Sequence, residues 1–391
     1  MEKNSSRREF LALGLCLPAA AMASTPGILR KLENPSDGPT AGSAVKLSYR
    51  TLGKTGLKVT TVGFGCMITS DASVIERAAD LGINYFDTAR VYQRGNNERM
   101  VGAALRRKRK DLILSTKTPS NDKQRALEDL ETSLREIGTD YVDIWYLHGK
   151  GKPSDVPDDL IEAQQLAKQQ GKTRFTGVST HDGQTQLLPW MAQKGVFDVV
   201  LTAYNFTMDK AMEEAIDEAS KAGMGIVAMK VMAGGFRSTK PADPLYAKLN
   251  REGAMLAALK WVVKHPSVHT TIPSMTDMDQ LDQNLKAMAE PLTATDEQLL
   301  ARQLDYIGPL YCRMCGRCEG ACEKGLPVAE MLRYLTYADG YGEFSLGREG
   351  FQQLPSDVAK VRCSECRACT VVCPFGVKVA NQLSRVQELF A

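Results

Sequence analysis

Eight of the ten cysteines in this 391-residue chain lie close together near its C-terminal end. They form two runs with the same spacing, C-x2-C-x2-C-x3-C, and Pro374 follows the second run. Thiolates at such short spacing let one loop hold several corners of a cuboidal cluster, so the pattern indicates sites for two 4Fe–4S clusters. The predicted metal ligands are Cys312, Cys315, Cys318, Cys322, Cys363, Cys366, Cys369 and Cys373.

Disulfide bonds and zinc sites with four thiolate ligands are the alternatives for cysteines that come in pairs. Both account for a C-x2-C pair, but neither accounts for a third and a fourth cysteine that repeat in register. The pattern resembles that of bacterial two-cluster ferredoxins, in which the fourth cysteine of each run serves the other cluster. The resemblance implies one cluster on Cys312, Cys315, Cys318 and Cys373, and the other on Cys363, Cys366, Cys369 and Cys322.

Four ionisable side chains form a second candidate site, in the first half of the chain. Asp87 and Lys117 each end a short apolar run, His148 follows a third run, and Tyr92 lies five residues beyond Asp87. Each residue alone has an ordinary structural explanation, such as a turn cap or a buried amine with a partner. If all four converge on one rim of a sheet, acid–base catalysis becomes the better explanation.

The elements that must position these residues are alternating strands and helices. Eight apolar runs alternate with helical patterns from Val59 onward. This alternation predicts a parallel sheet, and eight repeats in roughly 230 residues suit an α/β fold of the (β/α)8 TIM-barrel type. An open doubly wound sheet is the alternative, but no G-x-G-x-x-G follows the first strand. A hairpin just before that strand is expected to cap the barrel floor. The predicted strands are 59–65, 83–87, 112–117, 141–147, 175–179, 199–203, 225–229 and 269–273.

The motifs at these strand ends resemble those of the aldo-keto reductase family. They are DTARVY ending at Tyr92, STK ending at Lys117, WYLH ending at His148 and GVS ending at Ser179. The resemblance covers roughly residues 49–288 and keeps the order of the strands. It implies an oxidoreductase that transfers a hydride between a nicotinamide cofactor, NAD(H) or NADP(H), and a small carbonyl or alcohol substrate.

The same resemblance assigns Tyr92 as the acid that protonates the substrate carbonyl. A phenol has an ordinary pKa of about 10, so it exchanges a proton near neutrality only if a neighbour stabilises the phenolate. Lys117 supplies a positive charge for this, and Asp87 keeps the lysine charged and in place. His148 is expected to hydrogen-bond the carbonyl oxygen and fix its orientation.

Contacts to the nicotinamide cofactor follow from the resemblance with several departures. Met229 stands where many relatives have an aromatic residue that stacks on the nicotinamide. Ser274 and Gln280 stand where NADPH-dependent relatives often carry Lys and Arg, so two cations for a 2′-phosphate are missing. The predicted cofactor contacts are Gly65, Cys66, Met67, Ser179, Met229, Lys230, Ser274, Gln280, Gln283 and Asn284.

The first residues have the pattern of an export signal. Arg7 and Arg8 precede Phe10 and an apolar stretch to Ala23. This pattern resembles a twin-arginine signal, and the stretch is shorter than the roughly 20 apolar residues that a bilayer span needs. Residues 1–44 are therefore predicted to be a signal peptide and linker, with export to the periplasm or another extracytoplasmic space and no transmembrane anchor after cleavage.

Composition narrows the function classes further. The 49 basic and 46 acidic residues nearly balance, which gives no electrostatic case for nucleic-acid binding. We expect an aldo-keto reductase barrel at residues 45–300 and a small ferredoxin-like iron–sulfur domain at 301–391. The clusters are expected to serve structure or electron exchange with a redox partner protein. The alternative is a barrel without turnover that serves as a docking platform for an iron–sulfur electron-transfer module.

Overall fold

The computed structural model describes residues 46–235, 248 and 252–391. These residues belong to one compact unit, Val45–Ala391. The predicted signal peptide and linker, residues 1–44, lie outside the described residues. Within the described part of the chain, no helix combines the length and apolar character needed to cross a membrane.

Among the described residues, eight parallel strands form a barrel. Each strand pairs with the next one along the chain, and bridges from Val62 to Thr271 and from Gly65 to Ser274 join the last strand to the first. The predicted (β/α)8 barrel is thereby confirmed. The strands are β3 (Phe64–Gly65), β4 (Tyr85–Asp87), β5 (Ile113–Thr118), β6 (Val142–Leu147), β7 (Thr173–Thr180), β8 (Val199–Ala203), β9 (Gly225–Met229) and β10 (Thr270–Thr271).

The first predicted strand, 59–65, is two strands in the structure. β2 (Lys58–Thr60) pairs antiparallel with β1 (Tyr49–Thr51), and only β3 belongs to the barrel. The backbone changes partner between them, since Thr61 N–H donates to the hairpin and Gly63 N–H donates to the barrel at Thr271. The predicted hairpin is confirmed: Leu52 is fully buried with residues of the barrel interior, at the floor of the barrel.

Amphipathic helices cover the outside of the barrel. The helix after β5 shows why they form: Asp122 caps its first turn by accepting from Arg125 N–H at 2.9 Å, and Gly138 ends it in a left-handed conformation. Its buried positions recur at helical spacing and pack on the sheet. The helices described before residue 308 are α1 (Ala72–Asp80), α2 (Asn96–Leu105), α3 (Lys123–Ile137), α4 (Asp158–Gln169), α5 (Gln184–Lys194), α6 (Lys210–Lys221), α7 (Ala254–Lys264), α8 (Met278–Ala289) and α9 (Ala294–Ile307).

The C-terminal segment, residues 308–391, contains helices and irregular loops, and no strand is described within it. It has its own hydrophobic core, against which five of the eight clustered cysteines pack. The ferredoxin-like architecture stays a prediction, as does the boundary at residue 300, which falls inside α9. The helices are α10 (Val328–Leu335), which continues into one π-helical turn (Thr336–Gly340), α11 (Phe344–Gln352), α12 (Ser356–Lys360) and α13 (Val379–Phe390).

Candidate active site

The four candidate catalytic residues meet at the C-terminal ends of neighbouring strands. Asp87 is the last residue of β4, Lys117 lies near the end of β5, and His148 directly follows β6. Tyr92 begins a short turn in the loop after β4. The C-terminal ends of parallel strands meet at the same rim of a barrel. These residues are therefore close together in space although they are far apart along the chain.

Lys117 is the centre of this group. Its Nζ donates to Asp87 Oδ2 at 2.5 Å, to the Thr88 carbonyl at 2.7 Å and to the Tyr92 hydroxyl at 3.3 Å. Asp87 also accepts from Ser115 Oγ at 2.6 Å. Both charged side chains are 1% exposed, so the pair is sealed from water. The arrangement holds a positive charge beside the phenol oxygen.

Burial dominates the pKa values in this group. It raises the pKa of Asp87 and lowers the pKa of Lys117, while the charge of each residue acts on the other in the opposite direction. Burial and then the charge of Asp87 raise the pKa of Tyr92 well above its usual value, so the phenol carries its proton. Burial and then Lys117 lower the pKa of His148 far below its usual value, so the imidazole is neutral.

A cavity of about 100 Å³ opens above Tyr92. Asp87 and Tyr92 line it together with half of the predicted cofactor contacts. A nicotinamide placed against these residues would lie beside the tetrad, so the residues present fit the cofactor. The predicted contacts that line the cavity are Gly65, Met67, Met229, Lys230 and Ser274.

The other five predicted cofactor contacts do not line this cavity. Cys66 is fully buried in the core around the barrel, and burial raises the pKa of its thiol. Ser179 Oγ accepts from Gly149 N–H at 3.4 Å. Gln280 donates to Thr276 Oγ1 at 2.9 Å, and Gln283 and Asn284 follow on α8. Their part in cofactor binding stays a prediction.

Two of the described residues that line the cavity with a polar side chain, His181 and Tyr341, were not among the predicted site residues. His181 directly follows β7, so the rule that strand ends carry function could have found it. Tyr341 comes from the C-terminal segment and lies far along the chain from every barrel strand. No local pattern in the sequence indicates that it reaches the barrel mouth.

The eight clustered cysteines lie in two groups of four. The thiol of Cys312 has its pKa raised to about 12 by burial and then by the neighbouring thiols of Cys318, Cys315 and Cys373. The other four cysteines line a cavity of about 230 Å³ near the surface. These are Cys322, Cys363, Cys366 and Cys369. The binding of a cluster by either group stays a prediction.

Among the described residues, no three His, Cys, Asp or Glu side chains converge closely enough to hold a single metal ion. In a cuboidal cluster each thiolate ligates a different iron, so the four sulfur atoms stand apart at the corners. The loop of the first run also supplies a backbone donor: Met314, in a left-handed conformation, donates its N–H to Cys312 Sγ at 3.4 Å. Hydrogen bonds to cysteine sulfur are a recurrent feature of such sites.

Comparisons with known proteins agree with the geometry of the barrel site. Residues 69–302 match the sequence model of the Aldo/keto reductase family. The chain is 28% identical to an uncharacterized oxidoreductase of Bacillus subtilis (strain 168), YqkF, over 65% of this chain and 95% of that protein. It is 27% identical to L-galactose dehydrogenase of Arabidopsis thaliana, over 63% of this chain and 89% of that protein.

Among solved structures, the chain is similar to the holo form of an aldo-keto reductase from Bacillus halodurans. The TM-score is 0.57 and the identity 29%, with 66% of this chain and 96% of that chain covered. The family match contains the strand ends that carry Asp87, Lys117 and His148, and it ends before Cys312. The chain therefore belongs to the aldo/keto reductase family of NAD(P)-dependent oxidoreductases.

Proposed function

We propose that the chain transfers a hydride between NAD(H) or NADP(H) and a small carbonyl or alcohol substrate, with Tyr92 as the proton donor. One observation carries the proposal. Lys117 Nζ lies 3.3 Å from the Tyr92 hydroxyl while Asp87 holds it from the other side at 2.5 Å. A structural lysine needs only the carboxylate, whereas this one also faces a phenol that opens onto the cavity.

The nicotinamide, when bound, supplies the hydride. Tyr92 donates its proton to the carbonyl oxygen, and the charge of Lys117 stabilises the phenolate that remains. Asp87 keeps Lys117 charged against the cost of burial. His148, whose ring lies edge-on to that of Tyr92 with 5.8 Å between centroids, stays neutral and donates a hydrogen bond to the same oxygen. Burial strengthens each of these interactions because the local dielectric constant is low.

We expect NAD(H) to bind at least as tightly as NADP(H). Ser274 and Gln280 replace the two cations, and the carboxylate of Asp277 hydrogen-bonds the Gln280 amide at the start of α8. A 2′-phosphate at this helix end would gain no charge-assisted bond from them and would meet an acidic side chain. Fluorescence quenching in titrations with both reduced nucleotides measures the preference.

The variant pair Ser274→Lys and Gln280→Arg is the matched control for this prediction, and together they should strengthen NADPH binding selectively. A clear NADPH preference of the unchanged protein would contradict the prediction. The absence of saturable quenching by either nucleotide would instead favour the barrel without turnover, and so would contradict the proposed function itself.

We propose that the two groups of cysteines each hold a 4Fe–4S cluster. The cavity lined by Cys322, Cys363, Cys366 and Cys369 supports the second site, and the proximity of Cys312 to Cys315, Cys318 and Cys373 supports the first. When bound, such a cluster transfers one electron at a time. The run 364–370 is exposed throughout, which suits electron exchange with a separate redox partner protein.

The exchange of the fourth cysteines between the runs can be tested in a chain with one cluster. Replacing both Cys363 and Cys366 with Ser should remove the second cluster and halve the bound iron. In that background we expect Cys322→Ser to leave the remaining cluster in place and Cys373→Ser to remove it. Iron and sulfide analysis, with the paramagnetic signal of the reduced protein, provides the measurement. The opposite result would show that each run serves one cluster.

We also propose export of the folded protein by the twin-arginine route. Iron–sulfur clusters are assembled in the cytoplasm, so a chain that needs both clusters and export must cross the membrane already folded. Replacing Arg7 and Arg8 with Lys should keep the protein in the cytoplasm. Fractionation of cells that produce this variant measures the effect, and Lys3→Arg is the control. An unchanged location of the Lys variant would refute the route.

A further inference from the structure

Lys230 occupies an unusual position at the mouth of the barrel. It directly follows β9, and its φ of 55° lies in the left-handed region that residues with a side chain rarely adopt. The carbonyl of Lys230 accepts from Asn205 Nδ2 at 3.0 Å and from Ala233 N–H at 3.1 Å. Backbone strain of this kind persists only where the surroundings fix it, and it is concentrated at ligand sites.

The ammonium group of Lys230 is held by aromatic rings. Nζ lies 4.9 Å from the ring centroid of Tyr337 and 5.6 Å from that of Tyr341, both in the C-terminal segment. Lys230 and Tyr341 line the cavity above Tyr92. Within the described residues, no acidic side chain forms an ion pair with Lys230. The rings hold the cation at the cavity without neutralising it.

His181 lies at the same cavity. Its Nδ1 is buried and forms no hydrogen bond within the described part of the chain. Burial and then the charge of Lys230 lower its pKa far below the usual value, so the ring is neutral. Among the described residues that line this cavity, Asp87 is the one carboxylate, and it is already paired with Lys117. A residue with an unpartnered buried nitrogen and a cation without an acidic partner among the described residues therefore line one cavity.

We propose that Lys230 and His181 bind an acidic group of the substrate, so that the carbonyl compound carries a carboxylate or a phosphate. This inference rests on the proposed function and names its substrate class. Lys230 neutralises the anion, and His181 donates a hydrogen bond to one of its oxygens. Tyr92 then faces the carbonyl end of the same molecule. The rival role for Lys230 is a contact to a phosphate of the nucleotide.

Binding of matched probes separates these roles without turnover. The carboxylate pair is 4-carboxybenzaldehyde and its methyl ester, and the phosphate pair is glyceraldehyde 3-phosphate and glyceraldehyde. Calorimetry with the cluster-loaded protein and no nucleotide gives their affinities. The benzaldehyde pair, which carries no alcohol group, is also measured with NAD⁺, because oxidised nucleotide cannot reduce an aldehyde. We expect one charged probe to bind more tightly than its neutral partner, and the better pair identifies the acidic group.

Lys230→Met keeps an unbranched side chain on the strained backbone and removes the charge. We expect it to weaken binding of the charged probe, measured without nucleotide, by about 10- to 100-fold and to leave binding of the neutral probe unchanged. His181→Phe should give a smaller loss confined to the charged probe, and Lys230→Arg should restore binding. Lys210→Met, at a side chain that is 85% exposed, is the control and should match the parent.

Two results would overturn the inference. Equal losses for charged and neutral probes in Lys230→Met would show that the lysine only shapes the cavity. A loss of NAD⁺ affinity with unchanged probe binding would assign Lys230 to the nucleotide. If NAD⁺ does not bind at all, the proposed function fails, whereas the probe comparison without nucleotide still decides the acidic-group site.

Discussion

Replacing Tyr92 with Phe is expected to lower kcat for carbonyl reduction by about 10²–10⁴-fold, while NAD(H) still binds. The change removes the phenol oxygen that accepts a hydrogen bond from Lys117, and it leaves the ring in place. The carbonyl oxygen then receives no proton from the enzyme as the hydride arrives. Steady-state kinetics with an accepted aldehyde, together with a nucleotide titration, measures both parts.

Tyr49→Phe is the matched control for this prediction, because Tyr49 is 51% exposed on the hairpin at the barrel floor. It should keep the activity of the parent protein. If Tyr92→Phe also keeps nearly full activity, the proton donor is another residue, and His148 is the next candidate. If it loses nucleotide binding as well, the variant has disturbed the cavity and the assignment of Tyr92 as the acid fails.

Lys117→Met is expected to lower the free energy of unfolding by about 3–5 kcal/mol, because the carboxyl group of Asp87 would stay buried without the partner that offsets the cost of its burial. Turnover should fall sharply as well, since nothing would stabilise the Tyr92 phenolate. Urea unfolding followed by circular dichroism measures the first effect, and kinetics measures the second.

The double variant Asp87→Asn with Lys117→Met separates stability from catalysis. Without either charge, the site should regain most of the lost stability, whereas turnover should stay low. If the losses of the two single variants simply add in the double variant, Asp87 and Lys117 are not coupled. That result would contradict the ion pair on which the proposed mechanism depends.

The barrel was predictable because its strands are short apolar runs with a regular spacing. The strand 225–229 has the same bounds in prediction and structure, since it begins at Gly225 and the charged Lys230 follows it. The bounds of the first strand could not be predicted in this way. Residues 59–65 form one continuous run, and nothing local in the sequence marks the point between Thr61 and Gly63 where the backbone changes its hydrogen-bond partner. The position of this break between the two strands depends on the hydrogen-bond partners across the sheet.

The same contrast holds for the site. Asp87 and Lys117 could be placed together from the sequence, because both end strands of one parallel sheet. For the cysteines, the resemblance to ferredoxins implied which side chains would share a cluster, and this stays a prediction. The contact between Lys230 and Tyr337 could not be foreseen, because it depends on how a later segment of the chain packs over the barrel. Periodicity carries no information on such distant packing.

The packing of the C-terminal segment has a consequence for the barrel. Gly340 meets the loop after β9 so closely that an added Cβ would lie 2.4 Å from the Gly234 carbonyl. Tyr337 belongs to the same hydrophobic core as the cysteines, and its ring also contacts Lys230. If the proposed clusters are bound, their damage by oxygen would therefore affect the barrel mouth through this core. The enzyme would then bind its substrate more weakly while its catalytic residues stayed in place. Exposure to air would therefore raise KM.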